Sequence, residues 1–281
     1  MPQFAANLHY LFTELPFLER FEVAAAAGFK AVEFQVPYDY PTAVLSARLH
    51  ANGLKMVLFD APVGDWARGD RGLAAVPGRE KEFRDGLDVV VEYANALDCN
   101  TVHLMAGVMG AGEDFNAAQR TYTANLRHAA SMLAAHGVVG VIEPINKKMG
   151  IVQNGPSYTT QGMHGYFLNH TEQARRIIEE VGSSNLLLHL DCYHMQMLEG
   201  NLAETIRENI GLLRHLQIAG VPGRHEPNVG EINYPYLFDL LDELGYGGWI
   251  GCEYQPKVET WLGLAWAAKY GIQGNRPGAW K

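Results

Sequence analysis

A single (β/α)₈ barrel is the fold predicted for this 281-residue chain. Three observations predict it: eight short apolar runs, longer stretches of helical spacing between them, and no glycine-rich phosphate turn after the first run. The runs are FAANLH (4–9), KAVEFQ (30–35), KMVLFD (55–60), TVHLMA (101–106), VVGVIE (138–143), LLLHLD (186–191), LRHLQI (213–218) and WIGCEY (249–254). Between them, PFLERFEVAAAA has Pro16 suited to a first helical turn and Gly28 to the helix end. EKEFRDGLDVVVEYANAL opens with acidic residues that suit a helix dipole. An open doubly wound sheet also alternates β and α, but it normally carries the phosphate turn that this chain lacks. The domain is therefore expected to cover 1–281, close to the roughly 250 residues such barrels occupy. Two Gly/Pro-punctuated loops, 61–79 and 147–167, break the pattern. Each follows the C-terminal end of a strand, so both are expected on the catalytic face as walls or lids.

Bulk properties narrow the function. A hydrophobic fraction of 48% is ample for a core. The net charge of −9 is scattered, with no Lys/Arg cluster of the kind that grips phosphate backbones, so no nucleic-acid partner is expected. Cys99, Cys192 and Cys252 lie far apart, which suits reduced thiols and a cytoplasmic setting. The N-terminal MPQFAANLHYLFTELPF carries Glu14 and no basic leader, and no 18 apolar residues run together, so neither a signal peptide nor a membrane span is expected. Trp66 and Trp261, apolar residues in loops, would suit an interface between copies, and a homo-oligomer is the expectation.

The chemistry is written in the last four strand candidates, where the apolar stretches VVGVI, LLLHL, LLRHL and GGWIGC lead into Glu143, Asp191, Gln217 and Glu253. A barrel brings such residues to one rim. Three carboxylates held together repel one another unless a cation neutralises them, and all-oxygen ligation with a neutral carbonyl selects a hard ion, Mg²⁺ or Mn²⁺. Zinc is disfavoured for want of Cys or His ligands. Strand alternation turns His189 inward with Asp191, and His215 with Gln217, while Cys192 and Cys252 face the helices as packing thiols. A lone Glu at a strand end is more often a cap or a loop anchor; four in register favour the metal. Arg224, His103, His194 and Arg71 are the candidates for holding a substrate, Arg224 by clamping a carboxylate. His103 and His189 also read as hydrogen-bonded interior groups, and loop arginines such as Arg71, Arg79 and Arg224 are often salt-bridged. Glu33 and Asp60, which also end strands, read as acceptors that order loops.

The segments IEPIN (142–146), HLDCYHMQ (189–196), HLQIAGVPGRHEP (215–227), GEINY (230–234) and GxxGCEYxP (248–256) resemble the hydroxypyruvate isomerase family, within the xylose-isomerase-like TIM barrels. The likeness runs over nearly the whole chain. It implies that Glu143 and Glu253 form an acid/base pair and, with Asp191 and Gln217, hold a divalent ion. It further implies interconversion of hydroxypyruvate and tartronate semialdehyde, or of a close analogue, through a cis-enediol. Departures from the family pattern are the long segment after IEPIN, His9, Tyr10 and Asp60, and they bring a 2-oxo-tetronate forward as substrate. A ketose 3-epimerase would use the same glutamates but usually presents His where Gln217 stands. A non-catalytic sugar-binding barrel has no need of two opposed carboxylates.

Overall fold

The computed structural model of the chain describes residues 1–110, 112, 114–148 and 162–273. Strands β1 (Gln3–Asn7), β2 (Ala31–Glu33), β3 (Lys55–Asp60), β4 (Thr101–His103), β5 (Val139–Ile142), β6 (Leu186–Asp191), β7 (Leu213–Ile218) and β8 (Trp249–Cys252) pair in sequence order, all parallel, and β8 closes on β1. Each of the eight apolar runs thus becomes a stave. Several are shorter than the run that marks them. In β4 the pairing stops at His103, and at Ala106 the partner is instead Gly72, which the 61–79 loop brings in antiparallel.

The outer ring comprises α1 (Arg20–Ala26), α2 (Thr42–Asn52), α3 (Glu80–Ala96), α4 (Phe115–Ala134), α5 (Thr171–Val181), α6 (Cys192–Leu198), α7 (Leu202–Asn209), α8 (Tyr234–Glu243) and the short α9 (Thr260–Gly263). Pro16 opens a 3₁₀ turn, Phe17–Glu19, that leads into α1. α3 shows why these segments are helical: Phe83, Leu87, Val90 and Ala94 recur at spacings of three and four and are all buried. Burying each large side chain of this kind contributes about 1.5–3 kcal/mol.

Alternation along the strands splits the interior in two. The main core lies between strands and helices and includes Cys192 and Cys252, as their parity requires. The barrel lumen starts with a small apolar plug, Ala5, Ala31 and Val57. Two residues further along β1 and β2 it turns polar, at Asn7 and Glu33, both buried. Asn7, Glu33, His103, His189 and Gln217 all line the pocket described below.

Trp261 belongs to the core, not to an interface. It is 6% exposed and its ring lies 5.1 Å from that of Phe12. The segment around it is tied down by Glu14, which accepts from Thr260 N and Oγ1, and by Phe12 N, which donates to Thr260 Oγ1 at 2.8 Å. Trp66 is half-buried under the Arg71 guanidinium, 3.7 Å from its ring centre. No helix among the described residues is long and apolar enough to cross a membrane. Of the 147–167 loop, residues 149–161 lie outside the described residues; Met163 and Tyr166 beyond them are buried against the rims of β5 and β4 through Met163 N→Asn146 O and Ala106 N→Tyr166 Oη.

Candidate functional site

Glu143 stands one residue past β5, Asp191 ends β6, Gln217 is the penultimate residue of β7 and Glu253 stands one past β8. Register aligns them: Asp191 pairs with Gln217, and Gln217 with Gly251, two residues before Glu253. Glu143, Gln217 and Glu253 line one pocket of about 490 Å³. Asp191, fully buried, joins them through Arg224, whose Nη2 donates to Asp191 Oδ2 at 2.8 Å and to Glu253 Oε2 at 2.9 Å.

Three carboxylates and one guanidinium leave this cluster with excess negative charge. Burial first, then the Asp191 and Glu253 carboxylates, push the Glu143 carboxyl well above the usual range, against the pull of Arg224. Burial likewise raises Asp191 and, more strongly, Glu253, with Arg224 opposing in both cases. Glu143 Oε1 and Gln217 Oε1 are buried with no hydrogen-bond partner. Unspent oxygens next to uncompensated charge are what a divalent cation binds, so this donor set fits one.

The histidines come closer than strand parity suggested. Ligand-type atoms of Glu143, Asp191 and His194 fall within 4.8 Å of one another, and so do those of Glu143, His103 and His189. The reason is local. Asp191 caps α6, accepting from Tyr193 N at 2.8 Å, and the helical turn that follows swings His194 back to 3.5 Å from Asp191 Oδ2. Asn146 then bonds His194 Nδ1 at 2.7 Å and leaves Nε2 toward the carboxylates. Asp60 Oδ1 holds His103 Nδ1 at 3.1 Å. Burial, then the neighbouring His215 and His103, keeps His189 neutral, and burial followed by the Arg224 charge does the same for His194. The expectation that histidine donors are lacking is thereby corrected.

Of the four substrate-holding candidates, the structure brings His103, His194 and Arg224 to the pocket; Arg71 is not among the described residues that line it. Arg71 Nη1 donates to the carbonyls of Trp66 and Asp70, and its guanidinium stacks on Trp66, which does line the pocket. Arg79 is spent on Asp70 and Glu82. Arg224 is held by the folding of its loop, where Gly220 N donates to His225 O at 2.8 Å. A Cβ on Gly220 would lie 1.9 Å from Val229 O, so this crossing admits only glycine.

Gln35 and Asn146 are site residues that strand-end counting missed. Gln35 Nε2 donates to Glu253 Oε1, and its own Oε1 lies 2.8 Å from His9 Nδ1. The available signal for Gln35 was parity, two residues beyond Glu33 in the same run. Desolvation lowers the His9 pKa to about 4. A group depressed on folding takes up its proton in the unfolded chain first, so His9 supports the fold fully above pH 6.5 and loses that contribution as pH falls toward 4. Relative to wild type, His9→Gln is expected to lose about 2–3 kcal/mol less stability between pH 7 and pH 4.5, at 1.36 kcal/mol per pKa unit. Urea denaturation at the two pH values measures this, and equal losses would show that His9 does not titrate as its burial requires.

Comparison with known proteins agrees with this architecture. The family model for xylose isomerase-like TIM barrels matches residues 21–270. A protein of Cupriavidus necator named 2-oxo-tetronate isomerase is 50% identical over 270 residues, covering 96% of this chain and 99% of that one. The hydroxypyruvate isomerase of Escherichia coli is 43% identical, covering 96% and 100%. A crystal structure described as an AP endonuclease, family 2, from Brucella melitensis superposes with a TM-score of 0.89 at 47% identity, covering 96% and 99%. With a closed eight-stranded parallel barrel and these matches over most of its length, the chain belongs to the xylose isomerase-like TIM barrel family.

Proposed function

We propose that the chain is an isomerase of short 2-oxo acids that carry a hydroxyl at C3, with 2-oxo-tetronate as first substrate and hydroxypyruvate as second. The observation that carries this is the pairing of two buried glutamates, Glu143 and Glu253, in one pocket whose only described Lys or Arg is Arg224. The substrates follow from the names of the Cupriavidus necator and Escherichia coli relatives. Both acids present the same reacting unit, a C2 carbonyl beside a C3 carbon that bears hydrogen and hydroxyl.

One glutamate takes the proton from C3 and the other delivers a proton to C2, while the hydroxyl proton passes to the former carbonyl oxygen. C3 becomes the carbonyl and C2 the carbinol, so no outside oxidant is needed. Burial supports these roles, because a carboxylate whose pKa is raised is a stronger base than a solvated one. Glu143, Asp191, Gln217 and Glu253 would hold Mg²⁺ or Mn²⁺, which supplies electrostatic stabilisation to negative charge on the two substrate oxygens. Arg224 binds the substrate carboxylate, and His103, pinned by Asp60, presents its buried Nε2 to a substrate hydroxyl. Trp66 and Met163 close the pocket from the two loops.

The test is a panel of 2-oxo-tetronate, hydroxypyruvate and a ketohexose, each assayed by NMR before and after chelation. The two acids are expected to turn over, with activity lost on removing divalent ions and restored by Mn²⁺ or Mg²⁺. Turnover of the ketohexose alone would replace this reading by an epimerase. Undiminished activity after exhaustive chelation would remove the ion from it.

A further inference from the structure

We infer that Glu33 is the positioning residue that decides which way the Gln217 amide faces, and so presents an oxygen to the ion; this rests on the metal reading above. A glutamine side chain ends in one acceptor and one donor group of nearly equal size, and only the acceptor serves a cation. Something must hold the amide one way round. Glu33, 1% exposed at the end of β2, accepts from Gln217 Nε2 at 2.7 Å and from Asn7 Nδ2 at 3.0 Å, and its Oε2 lies 2.6 Å from His215 Nε2. Asn7 Oδ1 accepts from His9 N at 3.1 Å, which turns Asn7 Nδ2 toward Glu33 Oε1 and makes that oxygen an acceptor, so the NH₂ of Gln217 has to face it. The Oε1 of Gln217 is left buried on the side of the His189 imidazole, with no hydrogen bond of ordinary geometry.

Gly251 makes room for this arrangement. A Cβ there would lie 2.3 and 2.4 Å from the two Glu33 carboxylate oxygens, so the carboxylate occupies the space that a side chain at position 251 would need. Donors from β1 and β7 thus converge on one acceptor that reaches across the lumen beneath Glu253. A bystander that merely fills the lumen needs neither three polar partners nor a glycine opposite it. Partners that orient metal ligands in this way typically change affinity by roughly 10–100-fold when replaced.

Titration calorimetry of Mn²⁺ into metal-stripped protein tests the inference. Glu33→Gln removes the obligate acceptor and is expected to weaken Mn²⁺ binding by about 10–100-fold. In the exchange Glu33→Gln/Gln217→Glu, the amide and carboxylate trade places, an N–H···O contact is kept and an oxygen again faces the pocket, so most of the affinity should return. Normal Mn²⁺ binding by folded Glu33→Gln overturns the inference and leaves the metal reading standing. Weak binding that the exchange does not rescue also overturns it, since a purely structural role predicts that result. Failure of the wild type to bind Mn²⁺ overturns both. Should Glu33→Gln not fold, Gly251→Ala decides instead, because it displaces the carboxylate without removing it: weakened binding supports the inference and unchanged binding refutes it.

Discussion

Glu143→Gln and Glu253→Gln are each expected to cut turnover of a 2-oxo acid substrate by about 10²–10⁴-fold, the range a positioned acid or base contributes. Both substitutions keep the side-chain volume and a hydrogen-bonding end, and both remove the site that accepts a proton. Their effects on stability should differ in size, which separates lost chemistry from lost folding. The carboxyl of Glu143 is raised by burial and by two neighbouring carboxylates, and the imidazoles of His103, His189 and His194 stand 3.7–3.8 Å from it. A carboxyl raised on folding contributes stability below its unfolded pKa and loses it as pH rises through the folded value, so ionisation of Glu143 works against the metal-free fold. Glutamine removes that repulsion, and metal-free Glu143→Gln should melt above the wild type. Glu253 differs, because it accepts from both Arg224 and Gln35. Its carboxyl is also raised by burial, against the pull of Arg224, so Glu253→Gln relieves repulsion but gives up part of the guanidinium's bonding and should melt below Glu143→Gln. Near-normal turnover by either variant would end the two-glutamate account.

Arg224→Met is expected to destabilise the metal-free protein by about 3–5 kcal/mol, the cost of leaving buried charge uncompensated. Arg224 is 2% exposed, bonds Asp191 and Glu253 with one nitrogen, and lies 5.1 Å from the ring centres of both Tyr10 and Tyr193. Methionine fills much of the same volume, so the loss reports charge more than packing. Arg224→Lys keeps the charge but gives up the planar fork, and should fall between. Saturating Mn²⁺ should recover a large part of the loss in Arg224→Met, since the ion would neutralise the same carboxylates. Urea denaturation with and without Mn²⁺ reads both effects. An unchanged midpoint in Arg224→Met would mean that Asp191 and Glu253 are not held together by this guanidinium.

The four oxygen-bearing residues could be read from the sequence because each terminates an apolar run, and in a parallel barrel the end of a run is a fixed place. Strand parity then sorted the histidines from the cysteines correctly. What escaped was everything set by side-chain reach. β2 has only three residues, and its register against β3 shifts between Val32 and Glu33, so alternation over so short a segment does not reveal that Glu33 crosses the lumen to β7. His194 was ambiguous because its position depends on Asp191 capping α6, a contact between side chain and backbone. Trp261 passed for a surface aromatic because its partner, Phe12, comes from the opposite end of the chain. Arg71 sits in a loop motif where the sequence cannot separate stacking on Trp66 from reaching a ligand.

Running the isomerisation in D₂O and locating the label by NMR tests the central claim most directly, because the two-glutamate proposal requires the carboxyls to exchange their protons with solvent between turnovers. The product is expected to carry deuterium at C2, the carbon that was the carbonyl, from the first turnover onward. A product whose C2 hydrogen comes wholly from the substrate's C3, with no solvent label, would show transfer of hydrogen without release to a carboxylate, and would contradict the acid and base roles of Glu143 and Glu253.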